Sequence, residues 1–197
     1  MLPDDVTIAI LAGGRSRRMG TDKSLLPLAG KPMLAHVIER VAPLGLPMIL
    51  ITNTPEKHAS FGLPMFSDLC PGQGALGGIY TAVMSSPSAY TLCLACDMPF
   101  LNPDLLRYLI DQRAGYDAVV PCNAGNFECL HAVYHRCCLP LFDHQLTEGN
   151  LRISDLYAHL KARLITPEEV TRFDPEHRSF MNLNTPHDVA CVSLHSP

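Results

Sequence analysis

The amino-acid sequence predicts an α/β fold: a single domain with a mainly parallel, twisted sheet flanked by helices. Short apolar runs alternate with segments of helical periodicity, the pattern of strands joined by crossover helices. Val6–Leu11 and Tyr90–Cys96 are continuously apolar, as strands covered on both faces are. At 197 residues, 47% hydrophobic and 17% charged, the chain is long enough for one core and too apolar for disorder.

Val6–Leu11 is the first strand, broken at Gly13–Gly14. Met33–Leu44 reads as a helix with Leu34, Val37, Ile38 and Val41 on one face. Met48–Thr52 is the second strand. Thr54 and Pro55 open a short helix closed by Gly62, Thr as N-cap and Pro in the first turn. Pro64–Ser67 is a short strand ending at Asp68. The glycine-rich loop PGQGALGG leads into a helix to about Ser85, and Tyr90–Cys96 is a central strand ending at Asp97. Asn102–Pro103 caps a helix through Arg113. Ala118–Pro121 and Cys129–Tyr134 read as strands around a turn or lid at Asn123–Glu128. Two helices, Leu139–Thr147 and Leu151–Leu160, precede a strand at Ala162–Ile165. Thr166-Pro-Glu-Glu169 has capping-box spacing, Phe180–Asn182 is a short strand, and Thr185–Pro186 opens a terminal helix. The second half alternates less regularly and does not dictate a purely doubly wound sheet.

The net charge of −4 gives no bulk attraction to nucleic acid or to acidic membranes. Its distribution is uneven. Arg15, Arg17, Arg18, Lys23 and Lys31 against Asp22 make a local +4, leaving −8 for the rest. A cationic island on an acidic body suits a small polyanion such as a triphosphate. No apolar run approaches the ~20 residues of a membrane span. The N-terminal MLPDDVT lacks the basic region of a signal peptide. The eight cysteines therefore read as thiols in a reducing cytoplasm. Cys93 and Cys96 lie three apart in a strand and face opposite sides, which argues against a shared metal or disulfide.

The loop after the first strand fits neither common phosphate motif. Its glycines, Gly13, Gly14 and Gly20, do not make G-x-G-x-x-G. Five residues separate Gly14 from Gly20 where the P-loop has four, and Lys23 lies beyond. Glycine-freed amides, arginine forks and a lysine nonetheless suit phosphate or a base edge. Asp97 ends a central strand, where open α/β sheets place ligands, and a carboxylate there suits Mg²⁺. Asp68 before Pro71-Gly72 fits a turn as well as a site. Asn182 and Asn184 share a side of an extended segment, although Asn184 also precedes the Thr185 cap. Arg152 is a basic residue in a helix's first turn, which the dipole disfavours. His131 is a lone histidine in an apolar strand and reads as structural. No nucleophile–base pair is evident, and Ser16 has no partner histidine.

Leu11-Ala-Gly-Gly-x-Ser-x-Arg18-Met-Gly20-x-Asp-Lys23-x-Leu-Leu-x-Leu-x-Gly30-Lys-Pro32 resembles the signature of the molybdenum cofactor guanylyltransferases. These belong to the nucleotidyltransferases of glycosyltransferase-A-like, Rossmann-like fold, related to nucleotide-diphospho-sugar transferases. Asp68 with Gly74-Ala-Leu-Gly-Gly78 resembles the family's second nucleotide loop. Cys96-Asp97-Met-Pro99 resembles its metal motif, and Asn182-Leu-Asn184-Thr-Pro186 its C-terminal motif. The likeness runs from Val6 to Val189. It implies a nucleotide-binding half (about 6–100) and an acceptor-binding half (about 101–190) of one domain.

By that resemblance Leu11, Ala12, Gly13 and Gly14 hold guanine and ribose, with Asn53, Asp68 and Gly77 completing the nucleotide site. Arg18 and Lys23 neutralise the triphosphate, and Asp97 binds Mg²⁺. Arg152, Asn182 and Asn184 face the acceptor. The family commonly has a proline where this chain has Cys129. Relatives that use CTP tend to have Ala-Ala-Gly in place of Leu11-Ala12-Gly13, which tilts the base toward guanine. The implied reaction is GMP transfer from GTP to molybdopterin in its molybdenum-bearing form, with transient contact to cofactor-insertion proteins. A cytidylyltransferase with another phosphorylated acceptor and a non-catalytic nucleotide- or cofactor-binding protein are the alternatives.

Overall fold

The computed structural model describes residues 5–13, 22–185 and 188–189. Strand β1, Val6–Leu11, is buried along its whole length. Val6, Ile8 and Ile10 enter one hydrophobic cluster; Ala9 and Leu11 enter another on the opposite face. This two-sided burial is why the run is continuously apolar, and each isoleucine contributes about 2–3 kcal/mol of transfer free energy.

A small hairpin of β2 (Pro27–Leu28) and β3 (Lys31–Pro32) follows, then helix α1 (Met33–Val41) and a 3-10 turn to Leu44. Next come β4 (Met48–Ile51), α2 (Pro55–His58), β5 (Met65–Phe66), α3 (Gly74–Ser85) and β6 (Tyr90–Ala95). The second half supplies α4 (Pro103–Asp111), β7 (Ala118–Asn123), β8 (Asn126–Phe127), β9 (His131–His135), α5 (Leu139–Thr147), β10 (Ala162–Ile165) and α6 (Pro167–Thr171).

The sheet has eight strands in the order β10-β7-β9-β6-β1-β4-β5, with β8 folded back on β7. β1 is parallel to both β4 and β6, β5 is parallel to β4, and β10 to β7. Among the described strands β9 runs against this direction, antiparallel to β6 and β7, as does the short β8 against β7. The sheet is thus mainly parallel, and β9 accounts for the irregular second half. Helices α1 and α4 cover one face through Leu34, Val37, Leu105 and Leu109. Helices α3 and α5 cover the other through Leu76, Ile79 and Phe142. No described helix is long and apolar enough to cross a membrane.

The expected caps form at Asn102, which accepts from the Asp104 and Leu105 amides, and at Thr166, which makes a full capping box with Glu169. Thr54 stands at the N-cap of α2 without a side-chain cap bond.

Two expectations are corrected. Phe180–Asn182 is not a strand: Arg178–Phe180 forms a 3-10 turn, and Met181–Asn184 continues without joining a ladder. The buried Asp174 carboxylate takes the Ser179 amide and His177 adopts a left-handed backbone, so the chain turns over the sheet's end instead of pairing. The helix expected at Leu151–Leu160 is a 3-10 segment, Ile153–Ala158, entered through an extended Arg152. Of the terminal helix only Asp188–Val189 is described, capped by a reciprocal Thr185–Asp188 pair.

Gly77 lets the loop before α3 lie on the helix. A Cβ there would stand 2.7 Å from the Cys70 carbonyl oxygen, a backbone atom that cannot swing aside. Gly77→Ala is expected to lose about 1–3 kcal/mol of stability in chemical denaturation. A variant as stable as the parent would show that the loop is not tightly seated.

Candidate active site

The chain leaves β1 for β4 and β5 on one side, then returns to β6 on the other. That reversal opens a crevice at the carboxyl ends of β1 and β6, where open α/β sheets bind ligands. The Cys96 amide donates to the Leu11 carbonyl at 3.2 Å, and the Ala12 amide to the Ile51 carbonyl at 2.9 Å. Strand order therefore lines up Asp97, Ala12–Gly13, Asn53 and Asp68 along one sheet edge. Three strand spacings cover about 14 Å, a reach suited to an extended nucleotide.

Asp97 follows β6, and its side chain is only 20% exposed. Burial raises its carboxyl above the ordinary value, while the Lys23 charge and a backbone amide pull it back. The Lys23 Nζ lies 3.8 Å from Asp97 Oδ2 and donates to Asn184 Oδ1 at 2.6 Å. The Leu183 amide donates to the Asp97 carbonyl at 2.9 Å. A small apolar cluster of Leu26, Leu28, Met33 and Leu183 ties the Lys23 segment to the Asn184 segment. Three stretches far apart in sequence thus meet at one point. The Thr185 hydroxyl caps the Asp188 amide and the Asn184 amide donates to Asp188, which leaves the Asn184 side-chain oxygen to face Lys23. Asn182 is exposed and turns back toward the Phe180 carbonyl.

Asn53 and Asp68 meet at the ends of β4 and β5, where Asn53 Oδ1 accepts the Asp68 amide at 2.9 Å. Asp68 Oδ1 accepts from the Cys70 amide and from the Thr81 hydroxyl. Thr81 is a partner that the sequence signalled only as a hydroxyl on the buried face of α3. Gly14 and Arg18 lie outside the described residues.

Arg152 lines an open cleft of about 470 Å³ with Phe127, Cys129, Leu151 and Tyr157. Its amide donates to Asn150 Oδ1 and its carbonyl accepts from Gln145 Nε2, so the backbone is pinned from both sides. Leu130, next to Cys129, accepts the Ala95 amide through its carbonyl, which sets this cleft beside the end of β6. His131 is fully buried against Phe180, and burial lowers its pKa to about 3, so it is a neutral core residue. Cys93 packs in one core and Cys96 beside the other, as their spacing predicts.

The family model described as the MobA-like NTP transferase domain matches residues 8–164. A probable molybdenum cofactor guanylyltransferase of Natranaerobius thermophilus is 36% identical over 194 residues, covering 95% of both chains. One from Carboxydothermus hydrogenoformans is 34% identical over 93% of both. The crystal structure of molybdopterin-guanine dinucleotide biosynthesis protein A from Archaeoglobus fulgidus superposes with a TM-score of 0.82. It is 28% identical, with coverage of 95% of this chain and 97% of that one. The chain belongs to the MobA-like nucleotidyltransferase family.

A cation beside the desolvated Asp97 would restore what burial removes. Among the described residues no three His, Cys, Asp or Glu side chains gather to hold a metal by themselves. The single buried carboxylate at the crevice fits a divalent cation that would take its other ligands from phosphates and water.

The folded protein holds the Asp97 proton more tightly than the unfolded chain. The charged carboxylate thus lowers stability above its raised folded pKa, and that cost vanishes below the unfolded value of 3.8. Asp97→Asn is expected to match or exceed the parent's thermal stability at pH 7, with the difference closing as the pH falls toward 3.8. A clear loss of stability at pH 7 would make Asp97 a structural residue.

Proposed function

We propose that this chain transfers GMP from GTP to the terminal phosphate of molybdopterin in its molybdenum-bearing form, releasing pyrophosphate. The Lys23–Asn184–Asp97 cluster at the sheet's switch point carries the proposal, because it opposes a cation to a buried carboxylate where a nucleotide would lie. The guanine and the molybdopterin acceptor are supported by relatives named as molybdenum cofactor guanylyltransferases that match this chain nearly end to end. The seven described cysteines are free, which suits a reducing cytoplasm.

An acceptor phosphate oxygen attacks the α-phosphorus of GTP. The bond from that phosphorus to the bridging oxygen breaks, and pyrophosphate leaves with the electron pair. The nucleophile is already anionic, so no general base is needed. Lys23 neutralises charge on the phosphates while Asn184 fixes its ammonium. Asp97 would hold Mg²⁺, which supplies Lewis-acid charge neutralisation when bound. The Leu11, Ala12 and Gly13 backbone would receive guanine and ribose, with Asn53 and Asp68 beyond them and Gly77 seating the second loop. By the family resemblance Gly14 continues the first loop and Arg18 adds a second cation. Arg152 and its cleft would take the acceptor phosphate, with Asn182 nearby in the C-terminal motif.

The deciding assay offers each labelled triphosphate with Mg²⁺ and the acceptor. Pyrophosphate release with GTP alone is expected. Preference for CTP would make the chain a cytidylyltransferase, and binding without release a non-catalytic nucleotide-binding protein. Lys23→Ala should lower kcat by about 10²–10³-fold. Arg152→Ala should raise KM for the acceptor by about ten-fold and leave KM for GTP unchanged. Equal effects on both KM values would remove Arg152 from the acceptor site.

A further inference from the structure

The turn that presents Lys23 is held from below by a buried polar chain that the transfer chemistry does not use. Asp22 caps the 3-10 turn Lys23–Leu25: its Oδ1 accepts from the Ser24 amide at 3.1 Å and the Ser24 hydroxyl at 2.6 Å. Ser24 Oγ also lies 2.7 Å from His58 Nε2. Ser24 and His58 are both fully buried, so neither meets a substrate directly. The serine has one hydroxyl proton and gives it to Asp22. The hydrogen bond to His58 therefore runs the other way, from Nε2–H to Ser24 Oγ.

The other face of the imidazole is anchored at the end of β4. Nδ1 lies 3.1 Å from Thr52 Oγ1 and 3.0 Å from the Thr54 carbonyl, and Phe61 packs alongside the ring. The Thr54 carbonyl can only accept, so Nδ1–H donates to it and the Thr52 hydroxyl lies alongside. The Asp22 carboxylate, 3.8 Å from Nε2, completes the chain. Its acidic group is thus turned inward, away from the phosphates that Lys23 faces.

We propose that His58 is a positioning residue for the transfer reaction. It braces Ser24 and Asp22 against the end of β4, and so sets the height at which Lys23 meets Asn184 and Asp97. The proposal rests on the catalytic role given above to Lys23. Nothing in the loop's own sequence fixes that lysine. Three glycines precede it in the signature, at Gly13, Gly14 and Gly20, and a short turn cannot hold a long side chain by itself. A hydrogen-bonded brace supplies the fixed geometry that charge neutralisation requires.

The test uses the intact enzyme and separates kcat from KM. His58→Phe keeps a ring and removes the donor; Ser24→Ala breaks the same link while leaving His58 in place and serves where His58→Phe folds poorly. His58→Gln restores an N–H at about the place of Nε2. His58→Phe or Ser24→Ala should lower kcat by about ten- to a hundred-fold at saturating GTP, with KM for the acceptor unchanged. His58→Gln should recover most of that loss. In a Lys23→Ala background, His58→Phe should change kcat no further than about two-fold, because the two residues act through one group. An undiminished kcat in folded His58→Phe or Ser24→Ala, with Lys23→Ala impaired, would overturn this proposal alone. So would independent, multiplying losses in the double variant. Parent-level turnover by Lys23→Ala would overturn the Lys23 assignment and this proposal with it.

Discussion

The arrangement at this site depends on the cost of taking one carboxylate out of water. Asp97 stands at the end of a strand covered on both faces, and burial pushes its pKa up even with Lys23 3.8 Å away. A protein selected for stability alone has little reason to keep such a group. Around it converge a lysine from the first loop, an asparagine from the C-terminal motif and the backbone of β1. Each is secured by its own contacts: the Leu26–Leu183 cluster, the Leu183 amide on Asp97 and the ladder between β1 and β6. The fold makes this convergence possible because the chain changes direction across the sheet between β5 and β6.

The same logic orders the rest of the edge. The groups proposed for the nucleotide follow β1, β4 and β5, all parallel, so their loops emerge at the same end. The proposed acceptor cleft adjoins β9, which runs the other way between β6 and β7. Entering the sheet from the site end, β9 brings the Cys129–Leu130 segment next to the end of β6. An antiparallel insertion therefore gives the second half of the chain access to a centre built by the first. The proposed transfer needs both partners at one phosphorus atom, and this topology offers them adjoining walls.

Much of this was legible in the sequence where local physics decides the outcome. Val6–Leu11, Leu139–Thr147 and Ala162–Ile165 form with the expected bounds because periodicity, burial and flanking turns agree. The signature around Lys23, the carboxylate at Asp97 and the Asn184 motif identified a family that the comparisons bear out. The direction of β9 was not legible, since an apolar run carries no mark of orientation. The 3-10 course of Ile153–Ala158 and the loop at Met181–Asn184 were misread because tertiary contacts at Gln145, Asp174 and Asp97 override local preference. The Ser24–His58 contact joins a loop to a helix 34 residues later, and neither residue belongs to a motif that announces the other.

The central claim is that Asp97 binds a divalent cation together with the nucleotide. Mn²⁺ can be titrated into the protein with GTP and followed by its electron paramagnetic resonance signal. The parent chain should form a ternary complex, and Asp97→Asn should weaken that complex by at least about ten-fold while remaining folded. Equal Mn²⁺–GTP affinity in the two proteins would contradict the assignment of Asp97 and the account of the site built on it.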